Sequence, residues 1–458
     1  MFFQTWPFAL FFLVFYPAYL AVKATRLRLP FLLAASYFFY ACLNPLYLIL
    51  IAYSTVIDYA AIAAMAKSRR RKPWLALSIA NNLALLGFFK YGPFVTENIN
   101  ALLSSLGVPY VLPAPGILLP VGLSFYTFQS MSYTIDYYRG NIERETSLIK
   151  YAAFVSLFPR LLMGPIERAR NLLPQLSKTP KVAGEDIADG LSLFVVGMFK
   201  KVALADYLAL YVNKVYAAPD AFQSPALILA TFLFAWQIYF DFSGYTDMAR
   251  GIARMMGLRL MLNFNNPYLA TSLGDFWGRW HISLSSWFKD YLYIPLGGNR
   301  KGTFNTYKNM FIVMVISGLW HGAAWTFVIW GAVHALGRFL TREMERTSFY
   351  RTKVPKLAKQ MFVFAFVTFA WIFFRAENIT DAWTVIERIF GSGLADPRCP
   401  VLALASVLTV WLYQFAYESK LKSILELRLV RMTIIILMIL YLALFAPSTG
   451  QAFIYMQF

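Results

Sequence analysis

The chain has 458 residues, of which 59% are hydrophobic and only 14% are charged, and its mean hydropathy is +0.54. Soluble globular domains carry roughly 25% charged residues, so this composition excludes an ordinary soluble architecture. The net charge of +19 does not indicate nucleic-acid binding, because the cations cluster in short loops between apolar runs and no recognition module is visible.

Long apolar runs predict an all-α polytopic membrane protein, and they are too uniform for the alternating strands of a transmembrane barrel. Several runs are shorter than the roughly 20 residues of a straight crossing, so we expect roughly 11 to 13 membrane helices, some of them re-entrant or half-buried. One integral-membrane domain, residues 1–458, would contain all of them. The runs lie near 6–22, 30–44, 46–66, 74–92, 117–135, 149–164, 187–206, 222–242, 309–330, 358–374, 400–416 and 430–447.

Charge at the first connections predicts the orientation in the bilayer. The first run lacks a basic segment before it and a small-residue cleavage site after it, so we interpret it as a retained helix. Lys23, Arg26 and Arg28 follow the first run, a basic cluster at 67–72 follows the third, and no charge separates the second run from the third. The positive-inside rule then places the N-terminus outside and both basic loops in the cytoplasm.

Residues 243–308 interleave polar and charged side chains with Trp, Phe and Tyr. A disordered linker would not carry so many aromatic residues, so we predict packed amphipathic or half-buried helices here. We take 243–334 as the inner catalytic segment. No internal repeat is visible, so an inverted-repeat transporter gains no support.

The chain has three histidines, His281, His321 and His334. His321 lies between two apolar runs, where a neutral imidazole can accept a proton or simply hydrogen-bond a neighbouring helix. Gly318 and Gly322 flank it, and small residues let another backbone or a substrate approach closely.

The other two histidines have plainer interpretations. If 275–290 is one helix, His281 shares a face with Trp277 and Leu284, as an interfacial helix with an aromatic belt would show. We expect His334 to pack or to hydrogen-bond between helices.

Two further patterns carry polar groups. Asp241 and Asp247 stand six residues apart, which is not same-face helical spacing, so we expect ion pairs, with Arg250, Arg254 or Lys289 as partners, in preference to an acid/base couple. The segment 295–302 is a glycine-rich basic loop that either cradles a phosphate or forms a cytoplasmic turn.

Other chemistries find no support. No HExxH, CxxC or GxSxG pattern occurs, and Cys42 and Cys399 lie far apart. We therefore expect no metal site and no bound cofactor. A buried imidazole acting as general acid or base remains.

Five strings in order resemble the membrane-bound O-acyltransferase (MBOAT) family, most closely its alginate O-acetylation branch, and the resemblance extends to 371–377 and the terminal 453–458. One departure is Phe158-Pro159-Arg160, where the family pattern has Gln or His. The strings are Leu119–Gln129, Tyr239–Tyr245, Asp275–Trp287, Tyr293–Arg300 and Gly318–Gly322.

The resemblance implies a ring of helices around a central funnel or tunnel, with His321 as the catalytic histidine. It implies that His281 occupies the second characteristic polar position and orients the acceptor. Trp320 and Ser317 become candidate donors to the oxyanion. The further residues that it places along the acceptor path or tunnel are Asp241, Trp280 and Gln129.

The same resemblance implies a cytoplasmic thioester donor, acetyl-CoA, whose phosphates Arg300, Lys301 and Lys308 would hold. It also implies an exopolysaccharide acceptor beyond the bacterial inner membrane, reached through periplasmic partners related to SGNH hydrolases. Three alternatives stay open: D-alanyl transfer from a carrier protein, a channel or transporter with a polar midplane, and a non-catalytic scaffold.

Overall fold

The computed structural model describes residues 1–113, 116, 119–395, 399–445 and 453–454. All regular structure in these residues is helical, as the composition predicts. The α-helices are α1 (Trp6–Val22), α2 (Arg28–Ala41), α3 (Leu46–Lys67), α4 (Lys72–Leu86), α5 (Gly92–Ser105), α6 (Leu123–Tyr138), α7 (Leu148–Ser156), α8 (Phe158–Leu161), α9 (Ala169–Ser177), α10 (Gly184–Met198), α11 (Asp206–Tyr216), α12 (Ser224–Met255), α13 (Leu273–Arg279), α14 (Ile282–Phe288), α15 (Gly302–His321), α16 (Trp325–Arg346), α17 (Ser348–Thr352), α18 (Lys356–Arg375), α19 (Ile379–Gly391), α20 (Val401–Tyr417), α21 (Lys422–Leu425) and α22 (Arg428–Phe445).

Short tighter and wider turns interrupt this helical chain. Hydrogen bonds between residues five apart form π-helical segments at Gly87–Tyr91, Phe199–Ala205 and Lys289–Tyr293. Pro219–Ala221 and Pro267–Leu269 form 3₁₀ turns. π-helical segments recur at functional sites, which makes the two that precede α11 and follow α14 candidates for a functional role.

Four described helices, α3, α12, α18 and α22, are long and apolar enough to cross a bilayer, and α1 and α20 are shorter apolar helices. The membrane helical fold is therefore confirmed, while the larger helix count and the central funnel stay predictions. The predicted runs 117–135 and 430–447 begin or end outside the described residues, as does most of the string 453–458.

The chain forms two compact units, and the predicted inner segment 243–334 supplies residues to both. The first unit comprises Met1–Leu191 and Met248–Met261, and the second comprises Ser192–Asp247 and Leu262–Phe458. The prediction of one domain concerns the whole chain and stays a prediction.

The first unit contains a buried polar cluster, the Asp58 cluster, made by α3, α4 and α6. Ser78 Oγ donates to Asp58 Oδ1 at 2.6 Å, and Asn82 Nδ2 lies 3.0 Å from both carboxylate oxygens. Thr134 Oγ1 lies 3.0 Å from Ser78 Oγ, and Ser54 donates to Asn82 Oδ1 at 3.3 Å. Because every member is fully buried, the polar groups on these helices satisfy one another away from water and lipid.

The second unit has an aromatic core that includes the fully buried Trp236, Trp280, Trp330 and Trp371. Against this core, α15 and α16 form a tight helical hairpin. A Cβ added to Gly318 would collide with the carbonyl oxygen of Phe327, so only glycine permits this approach. Gly318 thus serves a second backbone, one of the two alternatives that the sequence left open, whereas Gly322 makes room for the Phe327 ring.

Two predicted continuous segments are broken in the structure. The run 309–330 ends its first helix at His321, and α16 begins at Trp325 after an extended Gly322. The segment 275–290 is likewise not one helix, because Trp280 and His281 separate α13 from α14. Hydrophobic periodicity did not reveal either break, since both reversals occur among apolar residues.

Candidate active site

The structure brings His281 and His321 together inside the second unit. Their imidazole ring centroids lie 6.4 Å apart, and their side chains are 0% and 3% exposed. His321 ends α15, where the partial negative charge of the helix C-terminus stabilises a positive imidazolium. The His321 imidazole is therefore held at a helix end that favours its protonated form.

Aromatic rings enclose His321. The ring centroid of Trp320 lies 5.0 Å away, that of Trp330 5.2 Å and that of Phe374 5.5 Å. All three meet the imidazole nearly edge to face, which directs electron-rich ring faces or ring edges at it. These rings shield the imidazole from solvent, in agreement with its 3% exposure.

His281 lies in a turn, not on a helical face as predicted. His281 is the residue before α14. Its φ of 43° and ψ of 54° lie in the left-handed region, which few residues other than glycine adopt. Its ring packs edge-on against Phe242, with centroids 4.7 Å apart, and lies 6.0 Å from Trp320. The turn thus directs His281 toward the His321 side of the aromatic core.

His334 is the neighbour of this pair rather than a member of it. Its ring lies 4.7 Å from Trp330 and 5.1 Å from Trp277, and it is fully buried. Neither ring nitrogen has a hydrogen-bond partner among the described residues. These contacts agree with the packing role that the sequence indicated, without the alternative hydrogen bond.

Trp320 and Ser317 both lie at this site. Trp320 contacts both imidazoles, and Ser317 stands one helical turn before His321 on α15, 4% exposed. Trp280 packs one layer further away, 5.1 Å from Trp371 and 5.1 Å from Phe264. Trp280 therefore supports the wall rather than the histidines directly.

Asp241 belongs to a buried ion cluster of the second unit. Lys201 Nζ lies 2.7 Å from Asp241 and 2.8 Å from Asp206, and the three side chains are at most 4% exposed. The amide N–H of Ile454 donates to the other oxygen of Asp241 at 2.8 Å, and Lys201 lies 4.2 Å from the ring centroid of Phe453. These contacts hold Phe453 and Ile454 against the ion cluster of Asp241 and Lys201.

The ion pairing predicted for the two carboxylates is confirmed, and the structure adds two cations that the sequence did not propose. Asp247 pairs with Lys200 at 2.7 Å, and Arg254 pairs with Asp189. The π-helical segment Phe199–Ala205 produces this result, because it turns adjacent lysines, 200 and 201, toward α12. A Cβ on Gly244 would lie 2.7 Å from the carbonyl oxygen of Gly197, so the two backbones meet closely there.

Gln129 lies in the first unit, where its amide donates to the carbonyl oxygen of Phe154 at 2.7 Å. Its prediction as a tunnel residue stays a prediction. Arg300, Lys301 and Lys308 are exposed around the glycine turn before α15. Asn309 fixes this turn, since its amide donates to the carbonyl oxygens of Gly298 and Leu296 at 3.0 and 3.3 Å.

A cavity of about 390 Å³ adjoins the site in the second unit. Ser317 and Trp277 line it near the histidines, and Tyr293 lines it beside the glycine turn, where Gly298 packs on the tyrosine ring. Three cationic side chains, Lys289, Arg338 and Arg342, also line the cavity. It can therefore accept an elongated molecule with anionic groups at one end and a reactive group near Ser317.

Sequence reasoning missed the two arginines. His334, Arg338 and Arg342 recur at intervals of four on α16, so they share a helical face, and this spacing was the available signal. Gly274 accommodates Arg338, because a Cβ there would lie 2.9 Å from the guanidinium carbon. Within the described residues, no group of three or more His, Cys, Asp or Glu could hold a metal ion.

Comparison with known proteins finds relatives of this chain. A model of the MBOAT, membrane-bound O-acyltransferase family, matches residues 139–380. A probable alginate O-acetylase AlgI of Pseudomonas aeruginosa is 42% identical over 391 residues, covering 84% of this chain and 74% of the relative. A peptidoglycan O-acetyltransferase of Helicobacter pylori is 36% identical over 390 residues, covering 79% of this chain and 73% of the relative.

A more distant relative carries a different acyl group in its name. A teichoic acid D-alanyltransferase of Bacillus subtilis is 26% identical over 284 residues, covering 57% of this chain and 71% of the relative. The matched residues 139–380 include His281, His321 and most of the cavity lining described above.

Proposed function

Because this chain belongs to the membrane-bound O-acyltransferase family, we propose that it transfers an acetyl group from cytoplasmic acetyl-CoA to a hydroxyl of an exopolysaccharide outside the membrane, with His321 as general base. The family makes the chain a membrane-embedded acyltransferase. The names of the two acetylating relatives support acetyl as the group transferred and a polysaccharide as the acceptor. Family membership also favours an enzyme over a channel or a scaffold.

The juxtaposition of His321 and His281 carries this proposal. The two imidazoles are buried and their ring centroids lie 6.4 Å apart, so the proposal puts the acceptor hydroxyl beside both rings. The cavity reaches Ser317, one turn from His321. A thioester that enters from the cavity and a hydroxyl held by His281 would meet at His321.

The transfer then proceeds as follows. His321 takes the proton of the acceptor hydroxyl while its oxygen attacks the thioester carbonyl. The tetrahedral intermediate collapses, the C–S bond breaks, and the thiolate takes the proton back from the imidazolium. The ester leaves with the acceptor, and no acyl-enzyme is needed.

The oxyanion of the intermediate requires a hydrogen-bond donor. Trp320 and Ser317 are suitably close to His321, as the sequence indicated. Trp330 adds a third candidate, since its indole N–H is buried and makes no hydrogen bond among the described residues. An uncommitted donor 5.2 Å from the imidazole, measured between ring centroids, costs free energy in the resting protein and suits a charge that forms only during reaction.

The donor's phosphates would lie on the cationic side of the cavity. Lys289, Arg338 and Arg342 line it, and the exposed Arg300 and Lys301 follow Tyr293 in the adjoining turn. Arginine suits phosphate because its guanidinium donates two parallel hydrogen bonds. We therefore extend the predicted donor set of Arg300, Lys301 and Lys308 by these three residues.

The direction of transfer follows from the loop charges. The basic residues between α3 and α4 would be cytoplasmic and the N-terminus would lie outside the bacterial inner membrane, and the proposal puts the donor on the cytoplasmic side. The acceptor would receive its acetyl group on the external side. Periplasmic acetyltransferases related to SGNH hydrolases would act there as partners.

Labelled acetyl-CoA tests this function. The purified protein in nanodiscs is given the donor and an acceptor polymer, and His321→Ala is compared with wild type after both elute as folded protein. We expect transfer and donor hydrolysis to vanish in His321→Ala. The control is His334→Phe, which replaces one buried ring by another and should keep activity; equal activity in His321→Ala would remove His321 from the chemistry.

The D-alanyl alternative predicts a different donor requirement. Because a teichoic acid D-alanyltransferase of Bacillus subtilis is among the relatives, the same assay should also test D-alanyl transfer. Wild-type protein that ignores acetyl-CoA but uses an acylated carrier protein would replace acetyl-CoA as the donor while leaving the role of His321 intact.

A further inference from the structure

We infer that Asn263 is a positioning residue that holds His281 in its reactive orientation. This inference rests on the proposed function, in which His281 holds the acceptor hydroxyl near His321. Asn263 is fully buried in the second unit and precedes α13. No motif around it in the sequence indicated a site residue.

The backbone at His281 is the feature that needs holding. Its φ of 43° and ψ of 54° are left-handed. For a residue with a Cβ this conformation is unfavourable and persists only where the surroundings enforce it. Something must therefore keep the turn from relaxing.

Two backbone hydrogen bonds bracket the turn. The N–H of Asn265 donates to the carbonyl oxygen of Arg279 at 2.9 Å, and the N–H of Ile282 donates to the carbonyl oxygen of Asn263 at 2.9 Å. Trp280 and His281 thus lie between two fixed points. Both points are supplied by the extended segment that contains Asn263.

The Asn263 side chain adds a third attachment, directly after the strained residue. Its Oδ1 accepts from the backbone N–H of Ser283 at 3.2 Å and from Ser283 Oγ at 3.0 Å. Its Nδ2 is buried and makes no hydrogen bond among the described residues. The side chain therefore acts here through its oxygen alone, as an acceptor that fixes the first turn of α14.

The held turn determines where the His281 ring points. Phe264, the residue after Asn263, has its ring 6.5 Å from the imidazole and nearly parallel to it, and Phe242 meets the imidazole edge-on at 4.7 Å. If residues 282 and 283 relaxed, the turn would leave the left-handed region and swing the imidazole away from Trp320 and His321. Asn263 therefore sets the distance between the two histidines.

Kinetics of Asn263→Leu test the inference. Leucine has nearly the same shape but no acceptor, so we expect kcat to fall about 10- to 100-fold, the usual cost of a small misplacement, with an unchanged KM for the donor. Asn263→Asp keeps the acceptor oxygen and should restore most of kcat. Ser283→Ala removes one of the two bonds and should have a smaller effect. Wild-type kcat in Asn263→Leu, or a loss that Asn263→Asp does not rescue, would overturn the inference.

A spectroscopic readout separates positioning from general damage. The chain has three histidines, so ¹⁵N-histidine labelling gives a spectrum that single substitutions assign. Asn263→Leu should shift the His281 ring signals and leave those of His334 in place. Unchanged His281 signals would overturn the inference, and equal shifts at all three histidines would reduce Asn263 to a residue of general stability.

The two proposals fail in distinguishable ways. If His281→Ala keeps full activity, the proposed role of His281 is wrong, and the ring signals still decide whether Asn263 sets the turn. If His281→Ala is inactive and Asn263→Leu leaves kcat and ring signals unchanged, only the positioning inference is wrong.

Discussion

The Asp58 cluster and the histidine site are two buried polar regions whose polar groups have different kinds of neighbour. In the Asp58 cluster, each polar side chain has a polar neighbour on the next helix, at hydrogen-bonding distances of 2.6 to 3.3 Å. At the histidine site, the rings of Trp320, Trp330 and Phe374 pack around His321, and a cavity lies one helical turn away. Both regions are almost fully buried.

The difference shows what burial alone means for a polar group inside a membrane protein. Groups that satisfy one another hold helices together, since lipid offers them no other partner. At the histidine site, aromatic rings surround His321 beside a cavity large enough for a ligand. Partner type, more than depth, therefore separates cohesion from chemistry, and the following substitutions test that separation.

The largest expected effect is on activity at His321. His321→Asn should lower kcat about 10²- to 10⁴-fold, the range for loss of a general base, while the melting temperature hardly changes. Activity assays and thermal denaturation of the same preparation measure both. A variant that loses stability and activity in parallel would place His321 with the cohesive groups and break the comparison.

A comparable effect, on stability, is expected at Lys201. Lys201→Met leaves Asp241 and Asp206 buried without their cation, which should cost about 3 to 5 kcal/mol of unfolding free energy. Lys200→Met is the matched control; its ion pair with Asp247 is partly exposed, so its loss should cost at most about 1 kcal/mol. Melting temperatures in detergent compare them, and equal shifts would contradict the burial argument.

A smaller stability effect is expected at Asp58. Asp58→Ala leaves Ser78 and Asn82 without their acceptor, at a cost of about 1 to 3 kcal/mol, while kcat per folded molecule stays unchanged. Asp58→Asn keeps one acceptor oxygen and should cost less. If Asp58→Ala abolishes transfer by protein that elutes and melts normally, the Asp58 cluster takes part in function and the comparison fails.

The smallest effect concerns the donor end of the cavity. Arg342→Gln should raise the KM for acetyl-CoA about tenfold, the loss of one charged hydrogen bond of roughly 1.5 kcal/mol, with kcat unchanged. Arg346, four residues further, pairs with Glu343 on the surface and does not line the cavity. A KM that rises as much in Arg346→Gln would show a general charge effect instead.

Sequence reasoning reached the helical membrane fold, because charge depletion and run length report directly on the bilayer. It also singled out His321 as a candidate, since an imidazole between apolar runs and flanked by glycines is unusual in itself. Asp275 and Arg279, four residues apart on α13, pair at 2.7 Å, as helical spacing allows.

Other features lay beyond local sequence patterns. The left-handed turn at His281 depends on hydrogen bonds that Asn263 accepts and Asn265 donates, and both residues lie outside the predicted helical segment 275–290. The Lys201 pairs with Asp206 and Asp241 depend on a π-helical segment, which a 3.6-residue period does not reveal. In each case a contact between separate segments decided the local geometry.

The length of α12 has a consequence for how the protein is made. At about 1.5 Å per residue, its 32 residues exceed a hydrocarbon core of roughly 30 Å, and it brings Asp241 and Asp247 into the nascent membrane protein. Lys201 and Lys200 precede these carboxylates by 40 and 47 residues. The ribosome therefore delivers each cation first, so α12 can leave the translocon already neutralised by a segment synthesised moments earlier.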